Sequence, residues 1–239
     1  MSRSSSFDII PVLHIASGQV IRWEGDHFVR CQGGDSNPLS VALHWIRQGA
    51  TKLHLVDLDA VYNRVSAAPA LVLALRNFSV RTSLAGGIHS LSTAKERLSY
   101  GASSLVVGSL LDRPNKLAKV VSSLGPRPIW GSIDLSERAL VSSRLQNAAN
   151  AGIRTLVLSA RTPDILSTSH TFGLIHDLVH DGASIWASGQ ICDYQLLLAL
   201  RQAGCQGALI SRALHERTLT LDGIAQAFSS DHNQGPKTA

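Results

Sequence analysis

Leu84-Ala85-Gly86-Gly87-Ile88 is the stretch on which the fold turns: an apolar strand that runs into two glycines and then a helix. Further along, Ser104-Leu105-Val106-Val107-Gly108-Ser109 has the same form. Glycine at such a turn lets backbone N–H groups approach an anion with no Cβ between them. The N-terminus of the following helix adds unpaired donors and the positive end of a dipole. Two such turns side by side make a phosphate-sized site.

Outward from this pair the chain alternates. Strands are expected at 9–15, 52–57, 81–85, 104–107, 129–134, 155–159, 184–187 and 207–210. Helices are expected at 38–49, 68–78, 91–100, 114–123, 136–150, 169–180, 193–203 and 218–228. The run Ile9-Ile10-Pro11-Val12-Leu13-His14-Ile15 is nearly all apolar, as in a strand buried on both faces. Pro38 opens a helix and Gly49 closes it. Residues 24–37 read as a long glycine-rich loop, and 229–239 as a polar, frayed tail.

Strand–helix alternation forces a parallel sheet. Eight pairs in 239 residues fit one closed (βα)8 barrel; an open doubly wound sheet is the other reading. An offset of 103 residues sets Gly86 on Gly189, Ile88 on Ile191, Gly101 on Gly204 and Leu111 on Leu214 without a gap. This weak repeat predicts two half-barrels, about 7–123 and 124–228. It also predicts two related phosphate sites facing each other across the C-terminal mouth.

The formal net charge is +5, yet the Lys and Arg residues are scattered singly. They form no basic stripe interleaved with aromatics, so nucleic acid is not an expected partner. A phosphorylated small molecule is. Three cysteines, Cys31, Cys192 and Cys205, show no CxxC spacing, which speaks against a metal or a disulfide framework and for a reducing compartment. No apolar run reaches the length of a membrane span, and Met1-Ser2-Arg3-Ser4-Ser5-Ser6 lacks the apolar core of a signal peptide. A cytoplasmic protein, monomeric or a small homo-oligomer, is the expectation.

Five segments in order, Ile9-Ile10-Pro11-Val12-Leu13, Leu53-His54-Leu55-Val56-Asp57-Leu58, Ala85-Gly86-Gly87-Ile88, Val106-Val107-Gly108-Ser109 and Ser211-Arg212-Ala213-Leu214, resemble the histidine-biosynthesis barrels, HisA above HisF. The resemblance runs from Ile9 to about Phe228. It implies a twofold-repeated (βα)8 barrel. It also implies an Amadori rearrangement of a ribosyl-amine bisphosphate, needing neither cofactor nor metal. Carboxylates ending the first and fifth strands would exchange protons with the sugar, and the two glycine sites would hold the two phosphates.

Carried over position by position, the resemblance is incomplete. His14 stands where the family has its first-strand aspartate, whereas the fifth-strand aspartate is kept as Asp134 and the second-strand one as Asp57. A sixth-strand threonine becomes Ser159, the aspartate after it becomes Ala160, and the aspartate before the first-strand glycine becomes Ser17. Gly86, Gly87, Gly108 and Ser109 of the first phosphate site are intact. In the second site Gly189 survives, but Gln190 and Ser211 replace glycines, with Arg212 beside them to add charge.

An Amadori rearrangement removes a proton from C2 and delivers one to the ring oxygen, so two groups on opposite sides of the sugar can share the work. His14 and Asp134 are the candidates, with Ser159 beside them. Imidazole can act as a base near neutral pH. It does not restore the fixed negative charge, and Ala160 removes another. These losses argue against the parent reaction at full rate. The expectation is a divergent HisA-like enzyme binding a phosphorylated metabolite of a pathway other than histidine synthesis; tetrahydromethanopterin-linked one-carbon metabolism is an assignment the resemblance permits. A genuine HisA-type isomerase and a non-catalytic phosphate-binding barrel are the alternatives. The first anion site is expected to hold phosphate and the second to be weakened, which suits a ligand with one phosphate. Arg22 could reach an anion, and Asp57 either binds substrate or caps the next segment. Trp130 and Trp186 belong to the core or stack on a planar ligand.

Overall fold

In the computed structural model, which describes residues 7–24, 27–30, 36–62 and 64–232, ten strands form one sheet. They are β1 (Asp8–Ala16), β2 (Gln19–Glu24), β3 (His27–Arg30), β4 (Lys52–Asp57), β5 (Arg81–Ala85), β6 (Ser104–Val107), β7 (Ile129–Asp134), β8 (Thr155–Ala160), β9 (Ser184–Gly189) and β10 (Gly207–Ile210). Eight of them, β1 and β4 to β10, pair in parallel, and β10 closes on β1 with Asp8 opposite Gly207 and Pro11 opposite Ile210. Helices follow the barrel strands, so the fold is a (βα)8 barrel.

The antiparallel pair β2–β3 departs from the expected loop at 24–37. Val20-Ile21-Arg22-Trp23 supplies a β-branched run, and the turn at Ser17-Gly18 reverses the chain onto β1, with both residues at positive φ (50° and 71°). Residues 25–26 and 31–35 of that expected loop lie outside the described residues. The final helix, Leu221–His232, also outruns its expected end and takes in the start of the presumed tail; 233–239 are likewise outside.

Two cores follow from strands buried on both faces. Residues facing outward pack under the helices, among them Leu13, Ile15, Leu53, Leu55, Leu84, Leu105, Ile133 and Leu158. Those facing inward, Ile10, Val12, Val106, Val157, Trp186 and Leu209, fill the barrel. Trp130 and Trp186 stack on each other inside it, centroids 5.4 Å apart and planes 24° apart. Lys52, at the N-terminal end of β4, places Nζ 5.1 Å from the Trp186 centroid and pairs with Asp8. The indoles therefore plug the barrel beneath the mouth, and neither lines the cavity above. A ligand-stacking role for them is set aside, because they stack on each other below the cavity and neither is in its lining.

The 103-residue offset reappears in the backbone. Gly86 (φ 101°) and Gly189 (φ 109°) correspond, and a Cβ on either would overlap a strand-end carbonyl oxygen, that of Asp57 or of Ala160. Gly108 (φ −105°, ψ −79°) and Ser211 (φ −112°, ψ −84°) open the short helices Ser109–Asp112 and Arg212–His215. Ser90 caps Leu91–Ser99 by accepting from Thr93 N (3.2 Å), and Asp193 caps Tyr194–Gln202 by accepting from Leu196 N (2.8 Å). Among the described residues no helix is long and apolar enough to cross a membrane.

Candidate functional site

Because the strands are parallel, their C-terminal ends gather at one mouth. A cavity of about 1000 Å³ opens there. Its walls include both glycine turns: Gly86, Gly87, Gly108 and Ser109 on one side, Gly189, Gln190, Ser211 and Arg212 on the other. His14, His54, Ser132, Ser159, Ser188, His89 and Arg161 complete its polar lining. Among the described residues, two arginines and three histidines line it and no carboxylate does. Such a concavity suits a small anion with an apolar body.

His14 is reached from β1 by the two-residue alternation that also turns Ile10 and Val12 inward. Its Nδ1 lies 3.4 Å from Ser211 Oγ. Burial, with a smaller contribution from His215, lowers its pKa to about 4, so the ring is neutral at pH 7. His54, one level lower on β4 and opposite Val12, was not expected from the sequence. Its Nδ1 is hydrogen-bonded to Ser83 Oγ (2.8 Å), which also lies 3.4 Å from Leu53 O. Burial, then the nearby His14, pushes His54 down to about 3. The signal for His54 lies in Leu53-His54-Leu55-Val56: a polar residue in the strand phase that faces the barrel axis.

Asp134 ends β7 at the rim, with its side chain about one-quarter exposed. Oδ1 accepts from Ser136 N (2.9 Å) and Oδ2 from Arg161 Nε (3.1 Å). It is not itself among the lining residues, but Arg161 is. Ser159, its neighbour across the β7–β8 ladder, lines the cavity, and Ala160 packs there without a charge.

Two of the expected ligand residues are placed elsewhere. Asp57 is fully buried and turned to the outer face: Oδ1 accepts from Ala60 N (3.0 Å), Oδ2 from Ser66 Oγ (2.7 Å), and Arg97 Nη2 lies 3.4 Å away. It caps Leu58–Val61, one residue out of phase with the cavity. Arg22 is outside the lining as well, with Nη1 3.8 Å from Glu216 Oε1. Arg212 Nη2 donates to Gln190 Oε1 (2.7 Å), and its Nε lies 3.9 Å from Glu216. Among the described residues no group of three or more His, Cys, Asp or Glu could hold a metal. Cys192 is exposed, Cys205 is buried with its thiol pushed up to about 12 by burial, and Cys31 is outside the described residues.

A glycine turn on each side of a barrel mouth, over the imidazoles of His14 and His54, makes this cavity the candidate site of a (βα)8 barrel. Comparison with known proteins narrows this. The profile of the histidine biosynthesis protein family matches residues 8–169, more than half of the chain. The chain belongs to that family. It is 32% identical over 232 residues to a Thermus thermophilus protein, spanning 89% of this chain and 96% of the relative. It is 29% identical to a Deinococcus radiodurans protein (88% and 94%) and 29% identical to one from Roseiflexus castenholzii (92% and 99%). All three are named as 1-(5-phosphoribosyl)-5-((5-phosphoribosylamino)methylideneamino) imidazole-4-carboxamide isomerase.

These findings correct the expectation of a pathway other than histidine synthesis, and with it the link to tetrahydromethanopterin. The substitutions at His14 and Ala160 had suggested a new pathway. They change two side chains at strand ends and leave the mouth and the first glycine turn in place, and the three relatives above, matched over nearly their full length, are all named as the same isomerase.

Proposed function

We propose that this chain is a HisA-type isomerase acting on a ribosyl-amine bisphosphate, with His14 and Asp134 as its proton-transfer pair. The observation that carries this reading is the cavity between two glycine turns, with His14 in its wall and Asp134 at its rim, held there by the lining residue Arg161. The isomerase names of the full-length relatives supply the reaction.

His14 is less foreign to this chemistry than its residue type implies. An imidazole lowered to about 4 has the proton affinity of an ordinary carboxylate, about 3.9. Burial therefore keeps His14 in its unprotonated form, able to act as a base while neutral instead of anionic. Whichever group delivers a proton to the ring oxygen, opening the sugar, enters the step protonated, and the other, unprotonated, takes the C2 proton. Ser159 presents a hydroxyl to the same space. Backbone N–H groups at Gly86, Gly87 and Gly108 hold one phosphate. At the other end Arg212 adds a guanidinium that would exchange Gln190 for the second phosphate.

Complementation of a histidine auxotroph lacking its own isomerase tests the reading. Growth restored by the wild-type chain and lost with Asp134→Asn is the expected result. No growth from a chain that is expressed and folded would sink it.

A further inference from the structure

The residue that follows Ala160 is drawn into the site by a charge network that the function above does not use. Arg161 lines the cavity, yet its guanidinium is spent on two carboxylates: Nε donates to Asp134 Oδ2 (3.1 Å) and Nη2 to Glu137 Oε1 (3.3 Å). Its own backbone N–H donates to Ser136 Oγ (3.0 Å), and Ser136 N donates to Asp134 Oδ1. The β8 end and the β7 end are thus tied at three points around one carboxylate.

The network continues into the protein. Glu137 Oε2 accepts from Arg144 Nη1, and Arg144 holds Asp112 by two parallel bonds of 2.8 Å. Arg144 is 9% exposed, and the bonds to Asp112 hold its guanidinium fully charged while drawing the Asp112 carboxyl below its usual range. An exposed arginine pair alone would be worth little, because two mobile side chains must be held in water. Here the exposed pair is the outer link of a chain anchored on the buried Arg144, which holds the partly exposed Asp112 by two parallel bonds, so part of the entropy cost of ordering Glu137 is already met.

We infer that Arg161 is a positioning residue for Asp134: it fixes the plane of that carboxylate at the cavity rim, anchored through Glu137 to Arg144 and Asp112. Asp134 ends a strand and its side chain can rotate about two bonds. With Ser136 N–H on one oxygen and Arg161 Nε–H on the other, one carboxylate plane is selected. A misplacement of about 1 Å in a proton-transfer group can cost about a hundredfold in rate. Arg161 acts through Asp134 and is not assigned a bond to the sugar.

The inference rests on the isomerase reading for its kinetic readout, so a second, activity-independent readout is paired with it. Arg161→Met is expected to lower kcat by about tenfold to a hundredfold with KM nearly unchanged, and Arg161→Lys to recover only part, since one ammonium cannot meet both carboxylates. Glu137→Gln is expected to cause a smaller fall in kcat, because it loosens the anchor and leaves Arg161 in place. In crystals of Arg161→Met, the Asp134 carboxylate is expected in a new rotamer or in several. An unchanged kcat, or a rise in KM alone, would overturn the proposal; the second result would make Arg161 a ligand contact. An unmoved Asp134 carboxylate in the variant would also overturn it. If the wild-type chain turns over no substrate, the isomerase reading fails by itself, and the crystallographic comparison still decides the role of Arg161.

Discussion

The two glycine turns share a backbone and differ in what they offer an anion. Gly86 and Gly189 adopt the same conformation against the same kind of strand-end carbonyl, 103 residues apart. The first turn continues with Gly87, where a Cβ would meet Ala60, and its partner turn with Gly108 and Ser109. The corresponding positions of the second turn hold Gln190, Ser211 and Arg212, with Gln190 and Arg212 bonded to each other. One turn therefore presents bare N–H groups, and the other a side-chain clasp with a guanidinium in it. Steric contact with the end of the preceding strand, at Asp57 and at Ala160, requires glycine at the start of each turn. The proposed proton-transfer pair is split the same way, with His14 on β1 and Asp134 on β7, one in each half.

The largest effect should come from breaking that split pair. Asp134→Asn is expected to lower kcat by about 10² to 10⁴, measured by the steady-state rate of isomerisation. His14→Ala should fall in the same range. His14→Asp should recover part of the rate lost in His14→Ala, because a carboxylate can also take the proton, although the burial that lowers the imidazole would raise the aspartate. A null His14→Asp variant would show that a neutral base is essential here.

Next are the twin glycines. Gly86→Ala and Gly189→Ala each force a Cβ onto backbone at positive φ and should each cost about 3 kcal/mol or more, read by denaturant unfolding. Unequal losses would break the equivalence of the halves. Arg212→Gln should weaken binding of a bisphosphate ligand by about 1.5–3 kcal/mol, the usual worth of a hydrogen bond to a charged group, as measured by calorimetry. The effect should diminish with added salt more steeply than that of Gly87→Ala at the backbone-lined turn.

The halves also differ in titration. His54 corresponds to Val157, and both face the barrel axis. The folded pKa values of His14 (about 4) and His54 (about 3) lie below the unfolded value, so protons bind the unfolded chain more tightly. Their stabilising contribution is complete above about pH 6.5 and is lost as pH falls toward those values. His54→Val, which copies the second half, should flatten the decline in stability between pH 6 and 4 (approximate limits set by those pKa values), followed by thermal unfolding. The smallest effects are at the caps: Ser90→Ala and Asp193→Ala should each cost about 1 kcal/mol.

Much of the candidate site was legible in residue order. His14, Ser159 and the residues of both turns lie on the cavity as expected, because a strand end and a helix start are local features. Asp57 was legible only as a strand-end acid. The side it faces depends on the phase of β4 relative to the axis, and one residue of phase puts it under the helices instead of in the mouth. His54 has the opposite history, a histidine hidden in an apolar run that the same phase turns inward. Arg161 carried no signal, since its partners lie 24 and 27 residues away in the chain.

The order of apolar runs, glycines and caps determined by itself that this chain forms a parallel barrel with paired glycine turns at one end, because period, turn chemistry and capping act over a few residues. Which polar side chains share the cavity, what protonation state His14 holds, and how Arg161 is bound to Asp134 were decided only by closure of the sheet. Burial and charge pairing depend on residues distant in sequence, and no local pattern encodes them.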